Sequence, residues 1–245
     1  LKKLDYYIIK KVKDFYTENL KNNLPVVPVS VNISWMDFYD GGFIDKAVSS
    51  YSLTDLPKEL LRVEITESSY AAMNNNASKS INDLRSFGVK FLLDDFGTGY
   101  SSFDMLQKYS FDILKIDQSF THMLGVNKKT DHLVQSIIEM CHHIGIKTVA
   151  EGVETAEQLR FYRDNGCEFI QGYHFFRPMP EEDFVKLLKR MHACNMLIDY
   201  RNSISETPIS YYKAPLYYTS QDMYRKTNVT TDIIAELIGQ NLGVG

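Results

Sequence analysis

Two rhythms of apolar positions trade places along this chain. Leu4, Ile8, Ile9, Val12, Phe15 and Tyr16 recur at helical spacing and predict a helix over Leu1–Leu20, stopped by Asn22 and Asn23. Val26–Ile33 follows as a strand, then Phe43–Tyr51 as a short helix, then Leu61–Ile65 as a strand whose apolar run is interrupted by Glu64. A helix over Ala77–Phe87, closed by Gly88, leads into the strand Val89–Asp94. Beyond it the pattern predicts helix Phe103–Tyr109, strand Ile113–Ile116, the amphipathic helix Asp131–Ile144 and strand Thr148–Ala150. Helix Glu157–Arg163, strand Phe169–Ile170, a last short strand at Phe175–Phe176 and helix Glu182–Met196 complete the series.

Strands that alternate with helices in this way build β-α units and a parallel sheet. With no break in the alternation before Asp199, the expectation is α/β, a (β/α)8 TIM-like barrel rather than an open doubly wound sheet. Glycine fingerprints for phosphate loops and dinucleotide sites are missing. Seven strand candidates leave the barrel one strand short, and a start at Leu1 rather than Met fits a first strand lost by truncation. Residues 1–198 form the expected barrel and residues 199–245 an extension. That extension is rich in tyrosine (Tyr200, Tyr211, Tyr212, Tyr217, Tyr218, Tyr224), with one helix expected over Asp232–Leu242.

Composition narrows the partners more than the fold. Hydrophobic residues at 44% and charged residues at 24% suit a globular protein, and no apolar run is long enough for a membrane span. A formal net charge of −4 gives no reason to expect a long nucleic acid or an anionic membrane surface. A small phosphorylated ligand stays open, since a bound metal reverses the local sign. Cys141, Cys167 and Cys194 are odd in number and widely spaced, which argues for reduced thiols and a cytoplasmic setting.

The chemistry collects at the strand ends. Asn32, Glu64, the adjacent pair Asp94 and Asp95, Lys115, Glu151 and Gln171 each stand at the end of a predicted strand, the rim where barrels of this type carry their sites. Paired aspartates repel unless a cation lies between them, and carboxylates without suitable Cys or His favour a hard metal, Mg²⁺ or Mn²⁺. Two such ions can lower the pKa of a bridging water and steady an in-line displacement at phosphorus. Lys115 can orient that water, take its proton, or serve as a plain counter-charge.

The motifs Asn32-Ile33-Ser34, Glu64-Ile65-Thr66-Glu67, Asp94-Asp95-Phe96-Gly97-Thr98-Gly99, Leu114-Lys115-Ile116-Asp117, Ala150-Glu151-Gly152-Val153-Glu154 and Gln171-Gly172-Tyr173 resemble, in order, those of the EAL domain. That family consists of bacterial phosphodiesterases that hydrolyse cyclic di-GMP to the linear dinucleotide pGpG. The resemblance covers about Leu1 to Leu188. It implies that Asn32, Glu64, Asp94, Asp95 and Glu151 are metal ligands and that Lys115 activates the water. It further implies that Asp95, Gln171 and Glu154 lie by the substrate, and that Glu67 steadies the loop after the aspartate pair. Lys115, Glu151 and Asp94 are the implied catalytic set. A homodimer fused to another signalling domain is the implied assembly.

One departure matters. The family's Glu-Ala-Leu stretch, whose glutamate binds metal, is absent, because Glu59-Leu60-Leu61-Arg62 runs directly into the strand of Glu64. Either the sequence is cut before that stretch, or this is a catalytically silent member that acts as a cyclic di-GMP receptor or an interaction module. His142 and His143 sit late in a helix, away from the strand ends, and read as helix-end residues rather than ligands. His174 and Trp35 follow site motifs; His174 reads as a hydrogen-bonded structural histidine or a contact at the pocket rim, and Trp35 as either a pocket-lining residue or core or rim packing.

Overall fold

The computed structural model describes residues 2–24, 26–34, 60–67, 75–99, 102–191 and 218–219. Its elements run α1 (Lys2–Lys21), β1 (Val29–Asn32), β2 (Leu61–Thr66), α2 (Asn75–Ser86), β3 (Lys90–Phe96), α3 (Ser102–Lys108) and β4 (Ile113–Ile116). They continue through α4 (Gln118–Met123), α5 (Lys128–His143), β5 (Lys147–Ala150), α6 (Ala156–Asp164), β6 (Phe169–Ile170), α7 (residues 181–191) and β7 (Tyr218–Thr219).

Helix α1 forms because its apolar positions share one face: Ile8, Ile9, Val12, Phe15 and Tyr16 are all buried. It ends at Asn23, whose φ of 52° is left-handed backbone that asparagine tolerates. The Tyr16 hydroxyl lies 2.9 Å from the Leu60 carbonyl and 3.0 Å from that of Val27, tying the helix to the approaches of β1 and β2.

All strand pairs are parallel, in the order β6-β5-β4-β3-β2-β1-β7. The register carries a stagger. Asn32 pairs with Glu64, but Glu64 pairs with Leu92, so Asp94 stands two residues further along. Lys115 pairs with Val149, so Glu151 again stands two residues beyond. A shift of two residues at every second strand tilts strands as a TIM-type barrel requires. Among the described residues β6 and β7 do not pair, and the sheet is a parallel half-barrel of that class.

Side-chain alternation gives the sheet two cores. Outward residues such as Val63, Ile65, Leu93, Leu114 and Ile116 pack under the helices with Val134, Ile138 and Tyr162. Leu92, Ile113 and Val149, with Phe169 against them, form a separate cluster within the curve, one layer below the polar strand ends.

Six of the seven expected strands are present, each within a few residues of its predicted limits. Phe175–Phe176 is not a strand. Its chain turns back on Gly172, whose carbonyl accepts the amides of both phenylalanines at 3.3 Å. Helix α4 and strand β7 are additions, and β7 lies beside β1 in the expected extension. The expected helices Phe43–Tyr51 and Asp232–Leu242, with Trp35 and Cys194, lie outside the described residues. No described helix is long and apolar enough to cross a membrane.

Candidate active site

Two adjacent aspartates on a regular strand would face opposite sides of the sheet. Here the pairing of β3 with β4 slips between Leu93 and Phe96, and Asp95 takes a left-handed φ of 57°. This bulge breaks the alternation, as bulges beside functional sites do. As a result Asp94, Asp95 and Glu151 each bring a carboxylate oxygen within 4.8 Å of the others.

Lys115 rises among the acids from β4, with its side chain 3% exposed. Its Nζ lies 2.6 Å from Glu151 Oε1, 2.7 Å from Asp94 Oδ1 and 3.2 Å from Glu64 Oε2. An ammonium has three protons to donate, and three carboxylates surround this one, from β2, β3 and the turn after β5. Glu64 is itself buried, so these are charge-assisted contacts in a poorly screened setting.

Four carboxylates against one ammonium leave an excess of negative charge. Burial pushes the Glu151 carboxyl up to about 7; Lys115 opposes the rise, while Asp94 and Glu64 add to it. Asp95 is also raised, first by burial, then by the neighbouring charges of Asp94 and Asp117. An all-oxygen donor set that resists ionisation for want of positive charge suits a hard divalent cation.

The loop after the pair is held from below. Glu67 is buried at the end of β2, and its Oε2 accepts the amides of Gly97 at 3.1 Å and Gly99 at 3.0 Å. Gly97 has φ of 95°, and a Cβ there would fall 2.6 Å from the Phe120 ring of α4, so loop and helix fit only without a side chain.

Other predicted residues take varied places. Asn32 stands beside Glu64 in the β1–β2 ladder, partly exposed. Gln171 follows β6, and its Oε1 is buried without a hydrogen-bond partner among the described residues, an acceptor consistent with a ligand at this rim. Glu154 is exposed, and its amide is taken by Gln158 Oε1 at 2.8 Å.

The histidines lie elsewhere. His142 Nε2 sits 3.1 Å from the Gly166 carbonyl, His143 Nδ1 sits 2.8 Å from Glu139 O, and His174 meets Phe175 edge-on. Sequence reasoning passed over Asp117, which caps α4 by accepting the Ser119 amide at 2.9 Å and acts on Asp95. Its signal was available: an aspartate directly after a strand and just before a helix is a common cap.

Parallel α/β architecture of TIM-barrel class with an acidic oxygen-donor site at the strand ends is what fold and rim define. Comparison with known proteins narrows this. The family profile described as "EAL domain" matches residues 1–178. The chain is 34% identical over 157 residues to the cyclic di-GMP phosphodiesterase PdeL of Escherichia coli, covering 64% of this chain and 43% of that protein.

Among solved structures, the EAL domain of Mycobacterium smegmatis DcpA superposes with a TM-score of 0.71 at 28% identity, over 77% of this chain and 85% of that one. The Klebsiella pneumoniae BlrP1 complex with manganese and cyclic di-GMP gives a TM-score of 0.58 at 27% identity, over 70% and 44%. The chain belongs to the EAL domain family. It spans less than half of the length of curated relatives such as PdeL of Escherichia coli (43%) and PdeB of Shewanella oneidensis (18%).

Proposed function

We propose that this chain is the core of a metal-dependent cyclic di-GMP phosphodiesterase that yields the linear dinucleotide pGpG. The observation that carries the reading is the convergence of Asp94, Asp95 and Glu151 within 4.8 Å, around a buried lysine. Relatives named as cyclic di-GMP phosphodiesterases, and the manganese complex of a structural neighbour, support the same reading.

Asp94, Asp95 and Glu151, with Glu64 and Asn32 beside them, would hold Mg²⁺ or Mn²⁺. When bound, the metal supplies a water of lowered pKa and Lewis-acid stabilisation of phosphate oxygens. Lys115 Nζ offsets the repulsion among Glu64, Asp94 and Glu151, and it can orient the attacking water or carry its proton at the rim. Gln171 Oε1 offers an acceptor to the dinucleotide, and Glu67 keeps the 97–99 loop in place over the site. Glu154 lies at the outer edge, where it would meet substrate. The working unit is a homodimer within a longer cytoplasmic signalling protein.

A second reading, a catalytically silent receptor for cyclic di-GMP or a protein-interaction module, is favoured by one observation. Lys115 pairs with three carboxylates of the site, Glu64, Asp94 and Glu151, and so competes with a cation for them. Incubation with cyclic di-GMP and Mn²⁺ or Mg²⁺, followed by chromatography, separates the two. Linear product supports the enzyme; tight binding without product supports the receptor.

A further inference from the structure

Helix α4 carries a buried hydroxyl chain that the reaction outlined above does not use. Thr121 and Tyr162 are both fully buried. Thr121 Oγ1 donates to the Glu151 carbonyl at 2.5 Å and lies 2.8 Å from the Tyr162 hydroxyl. A carbonyl only accepts, so the single threonine proton goes to Glu151, and Tyr162 must donate to Thr121. Burial raises the Tyr162 phenol well above its usual range, so that proton stays in place. The Thr121 carbonyl is held in turn by Gln158 Nε2 at 3.1 Å, and Gln158 Oε1 accepts the amides of Glu154 and Thr155.

The same helix closes on the next residue. Gly152 has φ of 67°, and a Cβ there would lie 2.6 Å from Gln118 Cβ. The turn Glu151–Gly152 is therefore gripped by α4 from two sides, by a hydrogen bond at one residue and by close packing at the other.

We propose that Thr121 and Tyr162 are positioning residues that fix the main chain of Glu151, and thereby the aim of its carboxylate at the cation site. Outer groups that orient a ligand commonly govern metal affinity without touching the metal. The proposal deepens the metal-dependent reading and rests on it. A purely structural hydroxyl pair would affect stability alone, and this difference decides the test.

The variants are Thr121→Val, Thr121→Ser, Tyr162→Phe and the double variant Thr121→Val/Tyr162→Phe, studied by calorimetric titration with Mn²⁺ alone and by urea unfolding. Thr121→Val is expected to weaken Mn²⁺ binding about tenfold, and Thr121→Ser to restore it. The double variant removes both polar partners, so it should recover stability relative to Thr121→Val while Mn²⁺ affinity stays low. Affinity that follows stability across the set, or is unchanged in Thr121→Val, overturns the proposal.

Hydrogen exchange at the Glu151 and Val153 amides gives a metal-free reading. Faster exchange in Thr121→Val that Thr121→Ser reverses supports positioning; equal exchange overturns it. Wild-type protein that binds no Mn²⁺ defeats the metal-dependent reading instead, and exchange then decides whether the hydroxyl chain orders this turn.

Discussion

Glu151 stands in an ion pair with Lys115 at 2.6 Å, yet its carboxyl titrates near 7 rather than below the usual range. The two facts conflict only if the pair is considered alone. Burial is the largest influence, and the Lys115 charge is shared with Asp94 and Glu64, so no full counter-charge remains for Glu151.

The consequence is a pH-dependent stability of the metal-free protein. With a folded pKa of about 7 against an ordinary 4.5, the folded state binds more protons than the unfolded state across that interval. The stabilisation is therefore complete below 4.5 and is lost as pH rises through 7. A displacement of that size corresponds to about 3 kcal/mol, at roughly 1.4 kcal/mol per pH unit.

Urea unfolding in a chelator, from about pH 5 to pH 8, on wild type and Glu151→Gln reads the contribution of Glu151 together with its coupling to Lys115 and Asp94, because titrations away from this cluster are common to both proteins. The stability of wild type relative to the variant should fall by about 3 kcal/mol over the range. A constant difference would show that Glu151 does not change charge on this interval. A difference growing with pH would mean that Lys115 outweighs burial and holds Glu151 ionised.

Lys115→Met leaves Glu64, Asp94 and Glu151 facing one another without their ammonium. In chelator it should lose about 3–5 kcal/mol, and Mn²⁺ should raise its melting temperature more than that of wild type; an equal Mn²⁺ effect would show that lysine and cation do not share the site. Glu67→Ala removes the acceptor of both loop amides and should cost about 2–3 kcal/mol, with faster hydrogen exchange at Gly97 and Gly99. Gly172→Ala drives a Cβ to within 2.0 Å of the Val153 carbonyl oxygen, a backbone atom with little room to yield. It should destabilise by more than about 3 kcal/mol, so an unaltered urea midpoint would contradict the packing described.

The alternation of apolar periods was sufficient to place six parallel strands and, α4 apart, the described helices between them, because a half-buried strand and an amphipathic helix must each show their inner face in sequence. It failed at Phe175–Phe176, where two aromatics look like strand but Gly172 takes both amides into a turn. It passed over α4, too short for its period to register, and β7, a two-residue pairing set by a neighbour distant in sequence.

The rim residues were legible one by one, since Asn32, Glu64, Asp94, Lys115, Glu151 and Gln171 are polar where a strand should end. Tertiary structure alone decided how they meet. Strand alternation forbids adjacent aspartates from sharing a face, and only the bulge against β4 with left-handed Asp95 brings both into one carboxylate cluster with Glu151. Likewise nothing local links Thr121, Glu151 and Tyr162; they join because the turn after β5 meets α4, and Thr121 of α4 meets Tyr162 of α6, and a buried hydroxyl must find its partner wherever the packing sets one.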